Sequence, residues 1–117
     1  MLSLALPIDI YLCVAPTDMR KAFDGLFALA VEHLGHDPLA GGLFVFLNRR
    51  RDRMKLLYWD GDGIAIWAKR LEAGTFQMPK VAAPARSVAL SATELTLLLR
   101  GIDLHSVKQR KRYRRGA

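Results

Sequence analysis

Two carboxylates, Asp60 and Asp62, are the residues whose type and spacing come nearest to a catalytic site. Carboxylates at this spacing can hold Mg²⁺ for nuclease chemistry. The run Asp60-Gly61-Asp62-Gly63 also lies between two apolar stretches, where aspartate and glycine supply the backbone geometry of a tight turn. No further carboxylate follows closely in sequence, so we favour the turn and keep a metal-dependent nuclease as the weakest alternative.

Other catalytic patterns are absent from the sequence. His33, His36 and His105 show no zinc-ligand spacing with the single cysteine, Cys13. There is no nucleophile motif and no glycine-rich phosphate loop. We therefore expect a protein that is not an enzyme and that uses neither a metal ion nor another cofactor.

Clustered arginines make up the first of two basic segments. One acidic residue, Asp52, interrupts this segment, which consists of Arg49, Arg50, Arg51, Arg53 and Lys55. A β-ribbon tip of this composition can direct guanidinium groups at a phosphate backbone. It can equally be a charged hairpin that resists edge-to-edge aggregation, and composition alone leaves both readings open.

The C-terminal run KQRKRYRR is the second basic segment. It holds six of the eighteen Lys and Arg residues, and without those six the net charge of +7 falls to +1. Such a segment attracts polyanions, and Tyr113 adds a ring that can stack on a base, so we favour contact with nucleic acid and keep a solubilising tail as the alternative. The candidate phosphate-binding residues here are Lys108, Arg110, Lys111, Arg112, Arg114 and Arg115.

Length and composition predict one soluble domain. The 117 residues suit a single α+β domain over 1–104, followed by a flexible basic tail over 105–117. A lone cysteine cannot form an internal disulfide, which fits a reducing cytoplasm. The apolar N-terminus lacks a basic start and is too short to span a bilayer, so we expect neither a signal peptide nor membrane association.

Apolar periodicity predicts a long first helix over about residues 17–34, with Thr17 as its N-cap and Gly35 at its C-terminus. Arg20 and Lys21 fall at its start, beside Asp18 and Asp24. Helix-end electrostatics explain this cluster most simply. If the helix starts near the first basic segment (the arginine hairpin, residues 49–55), Arg20 and Lys21 would instead extend the basic surface of that segment.

Strand patterns surround the arginine segment. We predict strands over 8–14, 43–47, 53–59 and 64–71, short strand-like pieces over 75–79 and 87–91, and a second helix over 92–100 capped by Ser91. The continuous apolar run 43–47 is expected to be covered on both faces. The order predicts an α+β fold: a small antiparallel β-meander with a long N-terminal helix packed on one face and a short C-terminal helix.

Three runs, VAPTDMRKAFDGL, GLFVFLNRRRDRMKLLYWDGDGIAIWAKRLEAGTF and LTLLLRGID, resemble the TnpB-type accessory protein of the insertion sequence 66 transposon family. That family is distinct from the RNA-guided nuclease of the same name. The resemblance spans roughly residues 10–104, with alanine at Ala15 and Ala22 where the family pattern has glycine. It implies an accessory factor for DNA transposition, encoded beside a separate transposase, and it brings no catalytic residues.

The combined expectation is a non-catalytic accessory factor that binds the phosphate backbone of transposon-end DNA, assembles with the separate transposase, or does both. Its apolar and aromatic surface would contact the transposase or a second copy of the chain, giving a homo-oligomer. The main alternative is a protein–protein adaptor in which the charge serves only solubility. A single DNA-binding patch requires the arginine hairpin and the start of the first helix to share one face.

Overall fold

The structure, a computed structural model, describes residues 8–81, 84–101 and 112. In chain order its strands are β1 (Ile10–Cys13), β2 (Leu43–Leu47), β3 (Arg53–Trp59), β4 (Ile64–Arg70) and β5 (Ser87–Leu90). Its helical elements are α1 (Phe23–Ala28), a π-helical turn that continues it (Leu29–His33), a 3₁₀ turn (Pro38–Ala40) and α2 (Ala92–Arg100).

The five strands form one mixed sheet in the order β4-β3-β2-β1-β5. β2, β3 and β4 make the expected antiparallel meander, but β1 pairs with β2 in parallel, from Ile10 opposite Leu43 to Leu12 opposite Val45. β5 closes the other edge antiparallel to β1. The predicted fold class was therefore wrong. A parallel pair needs a crossover, and α1 lies in the crossover that joins β1 to β2.

The prediction of a long N-terminal helix was also wrong, because α1 begins at Phe23 rather than near Thr17, and the π-helical turn that continues it ends at His33. Tertiary hydrogen bonds hold the preceding segment out of helical geometry. The Thr17 N–H donates a hydrogen bond to the Leu47 carbonyl at 2.8 Å. The Lys55 ammonium donates hydrogen bonds to the Met19 and Lys21 carbonyls. The predicted end was sound, since Gly35 follows the helix with a φ of +76°.

Each face of the sheet carries its own core. On one face, Leu26, Ala30 and Leu34 of the first helical segment pack on Phe44, Phe46 and Leu57. On the other face, Leu95 and Leu98 of α2 pack in a cluster with Val45, Leu56 and Phe76. All five residues of β2 are buried, so the prediction that this strand is covered on both faces is confirmed.

The second helix has the predicted bounds and the predicted cap. Ser91 Oγ accepts a hydrogen bond from the Glu94 N–H at 3.0 Å, and the Glu94 carboxylate accepts one from the Ser91 N–H at 2.9 Å. The short strand expected over 75–79 is absent, since that stretch has no regular structure. Phe76 fills the core there instead.

Candidate nucleic-acid interface

The turn between β2 and β3, which we call the arginine turn (residues 48–53), is fixed by the side chain of Asn48. Its Oδ1 accepts hydrogen bonds from the N–H groups of Asp52 and Arg53, both at 3.0 Å, and its Nδ2 donates to the Asp52 carboxylate at 2.7 Å. The Arg51 N–H closes the turn on the Asn48 carbonyl, and Arg51 adopts a φ of +58°. One amide side chain therefore sets the path of the whole turn.

The arginine turn is also held from behind by the segment that follows β4. The Leu71 N–H donates to the Asp52 carbonyl and the Phe76 N–H to the Arg51 carbonyl, each at 2.7 Å. Leu71 and Phe76 are themselves buried in the core. The backbone of the turn is thus bound to the core, whereas the side chains of Arg49, Arg50, Arg51 and Arg53 lie at exposed positions.

The segment before α1 lies against this turn. Asp18 holds it in a tight bend, because its carboxylate accepts from the Arg20 backbone N–H at 2.9 Å and from the Arg20 guanidinium at 2.7 to 3.1 Å. Lys55 projects from β3 and donates to the Met19 and Lys21 carbonyls, both at 2.8 Å. Lys55 thereby links this segment to the strand that leaves the arginine turn.

Together these elements form an open groove of about 510 Å³, which we call the arginine groove. A second open volume of about 480 Å³, along β3 and β4, shares Met19, Arg53 and Arg70 with it and therefore continues it. Five arginines and two aspartates give the arginine groove a net charge of +3. Its charged residues are Asp18, Arg20, Arg49, Arg50, Asp52, Arg53 and Arg70.

Within the groove, Arg53 of β3 and Arg70 of β4 are direct cross-strand partners. Like charges directly opposite each other destabilise a sheet unless a counter-charge lies near them. Glu72 forms an ion pair of 3.1 Å with Arg70, whereas no acidic side chain in the described part of the chain pairs with Arg53. An anion placed between the two guanidinium groups would relieve this repulsion.

Both carboxylates of the groove are held in their charged form. Hydrogen bonds from Arg20 lower the pKa of Asp18 to about 2. The hydrogen bond from Asn48 lowers the pKa of Asp52, and the nearby charges of Arg50 and Arg53 lower it further. The two aspartates therefore stay ionised at neutral pH and position the turn and Arg20, while the arginines keep the charge of the groove positive.

The structure brings four of the predicted phosphate-binding residues together in this groove: Arg20, Arg49, Arg50 and Arg53. Arg51 and Lys21 are exposed beside it without lining it, and Lys55 is engaged with two carbonyls. The sequence reading missed Arg70. The hairpin register could have identified Arg70, because two seven-residue strands joined by the DGDG turn place Arg70 opposite Arg53.

Of the basic tail, Lys108, Arg110, Lys111, Arg114 and Arg115 lie outside the described residues. Arg112 is described and half-buried. Its guanidinium donates to the Thr75 carbonyl at 3.0 Å and lies 5.4 Å from the centre of the Phe76 ring. Arg112 therefore contacts the same segment whose Phe76 N–H supports the arginine turn.

Asp60 and Asp62 occupy an exposed turn between β3 and β4, in which the Asp60 N–H donates to the Gly63 carbonyl at 2.8 Å. Across residues 8–81, 84–101 and 112, no three His, Cys, Asp or Glu side chains are grouped closely enough to hold a metal ion. Across the same residues, no helix is both long and apolar enough to cross a membrane.

Comparison with known proteins gives the chain its family. Residues 8–109 match the profile of the family described as IS66 Orf2 like protein, TnpB of insertion sequence 66. The chain is 38% identical over 103 residues to the uncharacterized protein y4jC of Sinorhizobium fredii, covering 88% of this chain and 86% of that one. It is 36% identical over 96 residues to the uncharacterized protein y4hO of the same organism, covering 82% of each. No solved structure matches the chain. The chain belongs to the IS66 Orf2-like (TnpB) family, and its role accordingly lies in the transposition of an insertion sequence.

Proposed function

We propose that this protein is a non-catalytic accessory factor for transposition that binds the phosphate backbone of DNA through the arginine groove. The observation that carries the proposal is the meeting of five arginines from three separate parts of the chain around one open groove. Neutralising phosphates releases condensed counterions, which is the main source of affinity for proteins of this kind.

The shape and rigidity of the groove support this reading. The turn that carries Arg49, Arg50 and Arg53 is braced by Asn48 and by the core-bound segment behind it, so its backbone loses little conformational freedom on binding. Guanidinium groups suit bidentate contact with phosphate oxygens. Such contacts position a protein on DNA without reading bases, so we expect similar affinity for different sequences.

Lys55 and Asp18 take supporting roles in this proposal. Lys55 already donates to two backbone carbonyls and holds the segment that carries Arg20. Asp18 orients the Arg20 guanidinium, whose Nε donates to Asp18 Oδ1 and whose Nη2 donates to Asp18 Oδ2. The tail residues Lys108, Arg110, Lys111, Arg114 and Arg115 are proposed as a second, additive set of contacts with the DNA backbone on grounds of charge, whereas Arg112 already donates to the Thr75 carbonyl.

The test is a fluorescence-anisotropy titration with a short labelled duplex from the end of an insertion sequence, repeated over a KCl series. The triple variant Arg49→Ala/Arg50→Ala/Arg53→Ala should reduce the slope of log K against log salt by about 2 to 3, since each lost phosphate contact removes about 0.9. A duplex of shuffled sequence should bind almost as well.

The matched control removes the same charge elsewhere. Lys80, Arg86 and Arg100 are exposed and lie outside the arginine groove, so Lys80→Ala/Arg86→Ala/Arg100→Ala should leave the slope nearly unchanged. Equal losses in both triple variants would show that only overall charge matters. Absence of binding at low salt would remove the DNA-binding role altogether.

A second candidate role is docking on the separate transposase, and exposed aromatic side chains favour it. Phe23 at the start of α1 and Trp59 at the end of β3 are 53% and 39% exposed. Exposed aromatics of this size are typical anchors of protein interfaces. In a pull-down of the transposase encoded beside this protein, Phe23→Asp should abolish capture and the arginine triple variant should not. The reverse result would make the contact DNA-mediated.

A further inference from the structure

β4 is an outer strand of the sheet, and the hairpin geometry fixes which of its backbone groups face outward. The Asp60 N–H bonds the Gly63 carbonyl and the Leu71 N–H bonds the Asp52 carbonyl, which sets the alternation of the antiparallel pair. Residues 65, 67 and 69 therefore bond to β3. The N–H and C=O groups of Ile64, Ile66, Ala68 and Arg70 point away from it. None of these groups makes a hydrogen bond within the part of the chain that the structure describes.

This edge has few of the features that usually protect an outer strand from pairing. β4 is seven residues long and pairs residue for residue with β3, without a bulge or a proline. Its first five residues, Ile64 to Ala68, are uncharged and apolar. The opposite edge, β5, has only four residues and offers a much shorter row of groups.

The two ends of this apolar stretch carry opposite charge. Asp60 and Asp62 precede it, and Lys69 and Arg70 end the strand. A second copy running antiparallel brings the acidic end of each strand to the basic end of the other. A parallel arrangement would set like charges side by side, which destabilises a sheet. The charge pattern thus selects antiparallel pairing of the strand with itself.

We propose that β4 pairs antiparallel with β4 of a second copy of this chain, centred on Ile66. Ile66 then faces Ile66 of the second copy, Ile64 faces Ala68, and Arg70 comes beside Asp62. The outward N–H and C=O groups of residues 64, 66 and 68 in one copy then face the outward groups of residues 68, 66 and 64 in the other. Three hydrogen-bonded residue pairs therefore form. The two five-stranded sheets become one continuous sheet.

This pairing places the two arginine grooves on one side of the assembly. The two-fold axis of an antiparallel edge-to-edge pair stands perpendicular to the sheet, so the face that carries α1 in one copy is continuous with the same face in the other. Arg53 and Arg70 lie on that face. The pairing itself does not depend on DNA binding and is tested without DNA.

A cysteine trap tests the register. Ile66→Cys should form an intermolecular disulfide rapidly under mild oxidation, because hydrogen-bonded partners have Cα atoms about 5.5 Å apart, within disulfide range. Ala68→Cys is the matched control on the same edge, where the two copies of residue 68 would be about 14 Å apart. The native Cys13 is buried and stays out of the reaction. Equal rates for the two variants would overturn the proposed pairing.

Sedimentation equilibrium without oxidant tests the charge argument. The wild-type chain should show twice the 13.1 kDa mass at high protein concentration. Asp62→Lys should weaken the dimer at least tenfold, because it sets a lysine beside Arg70 of the second copy. Glu32→Lys, an exposed charge change on the helical segment after α1, should leave the dimer intact. A wild-type monomer, or equal weakening in both variants, would refute self-pairing and leave this edge to a strand of another protein.

Discussion

The two turns that bound β3 differ in both charge and construction. The arginine turn, residues 48–53, is basic, and it is fixed by three hydrogen bonds of the Asn48 side chain and two backbone bonds from the core-bound segment behind it. The acidic turn, residues 60–63, has a single backbone hydrogen bond from Asp60 to Gly63, and Gly61 supplies its positive φ of +81°. One hairpin tip is held in a defined shape and the other only reverses the chain.

This difference shows where the molecule concentrates its order. Glycine allows the acidic turn to reverse the chain without side-chain bracing. Arg51 takes a positive φ without that freedom, so the arginine turn needs the bracing that Asn48 and the segment 71–76 provide. Order of this kind around exposed guanidinium groups is expected of a binding surface. The two ends of β3 should therefore differ as sharply in stability as they do in structure.

The largest effect is expected for Lys55→Met, which keeps the length of the side chain and removes its ammonium. Two hydrogen bonds from a charged donor are lost, so the free energy of unfolding should fall by about 3 kcal/mol. Residues 18–22 should also become mobile. Urea denaturation and amide hydrogen exchange measure these two effects. Lys69→Met, on the neighbouring strand, should change stability by less than about 0.5 kcal/mol. Similar losses in both variants would contradict the role given to Lys55.

A smaller loss, about 2 kcal/mol, is expected for Asn48→Ala, because three hydrogen bonds disappear from a partly exposed turn where water replaces some of them. Asp62→Ala in the acidic turn should cost less than about 0.5 kcal/mol. Urea denaturation of both variants makes the comparison direct. Asn48→Ala should also lower the affinity for duplex DNA, although this variant keeps every arginine of the groove, because the turn loses its defined shape. Unchanged affinity would show that the shape of the turn does not matter for binding.

Local patterns predicted the parts of the molecule that depend on near neighbours. The bounds of β2, β3 and α2 and the Ser91 cap follow from short-range periodicity and capping chemistry, and the exposed arginines follow from their place between two apolar strands. Arg20, Arg49, Arg50 and Arg53 could therefore be named as candidates before the structure placed them in one groove.

The errors lie where distant residues decide the structure. The Lys55 ammonium donates hydrogen bonds to the carbonyls of Lys21 and Met19, which lie 34 and 36 positions away in sequence. These bonds prevent helix formation in the segment before α1, although the local sequence pattern favours a helix there. An apolar strand such as β1 reads the same whether its partner is parallel or antiparallel, so the parallel pair with β2 left no local signal. Arg70 was missed because its role depends on its cross-strand neighbour.

The smallest predicted effect concerns pH at the basic end. The pKa of Asp18 is about 2 in the folded chain against 3.8 as its ordinary value, so its contribution to stability is complete above about pH 4 and is lost as the pH falls towards 2. An NMR titration of the Asp18 carboxyl carbon should give a midpoint near 2. Arg20→Gln removes the largest cause of the shift and should move that midpoint up towards 3.8. High salt should move it the same way, since the pair is exposed. A midpoint that Arg20→Gln leaves unchanged would mean that Asp18 is held by its backbone contacts alone, and Arg20 would then not be oriented towards the groove.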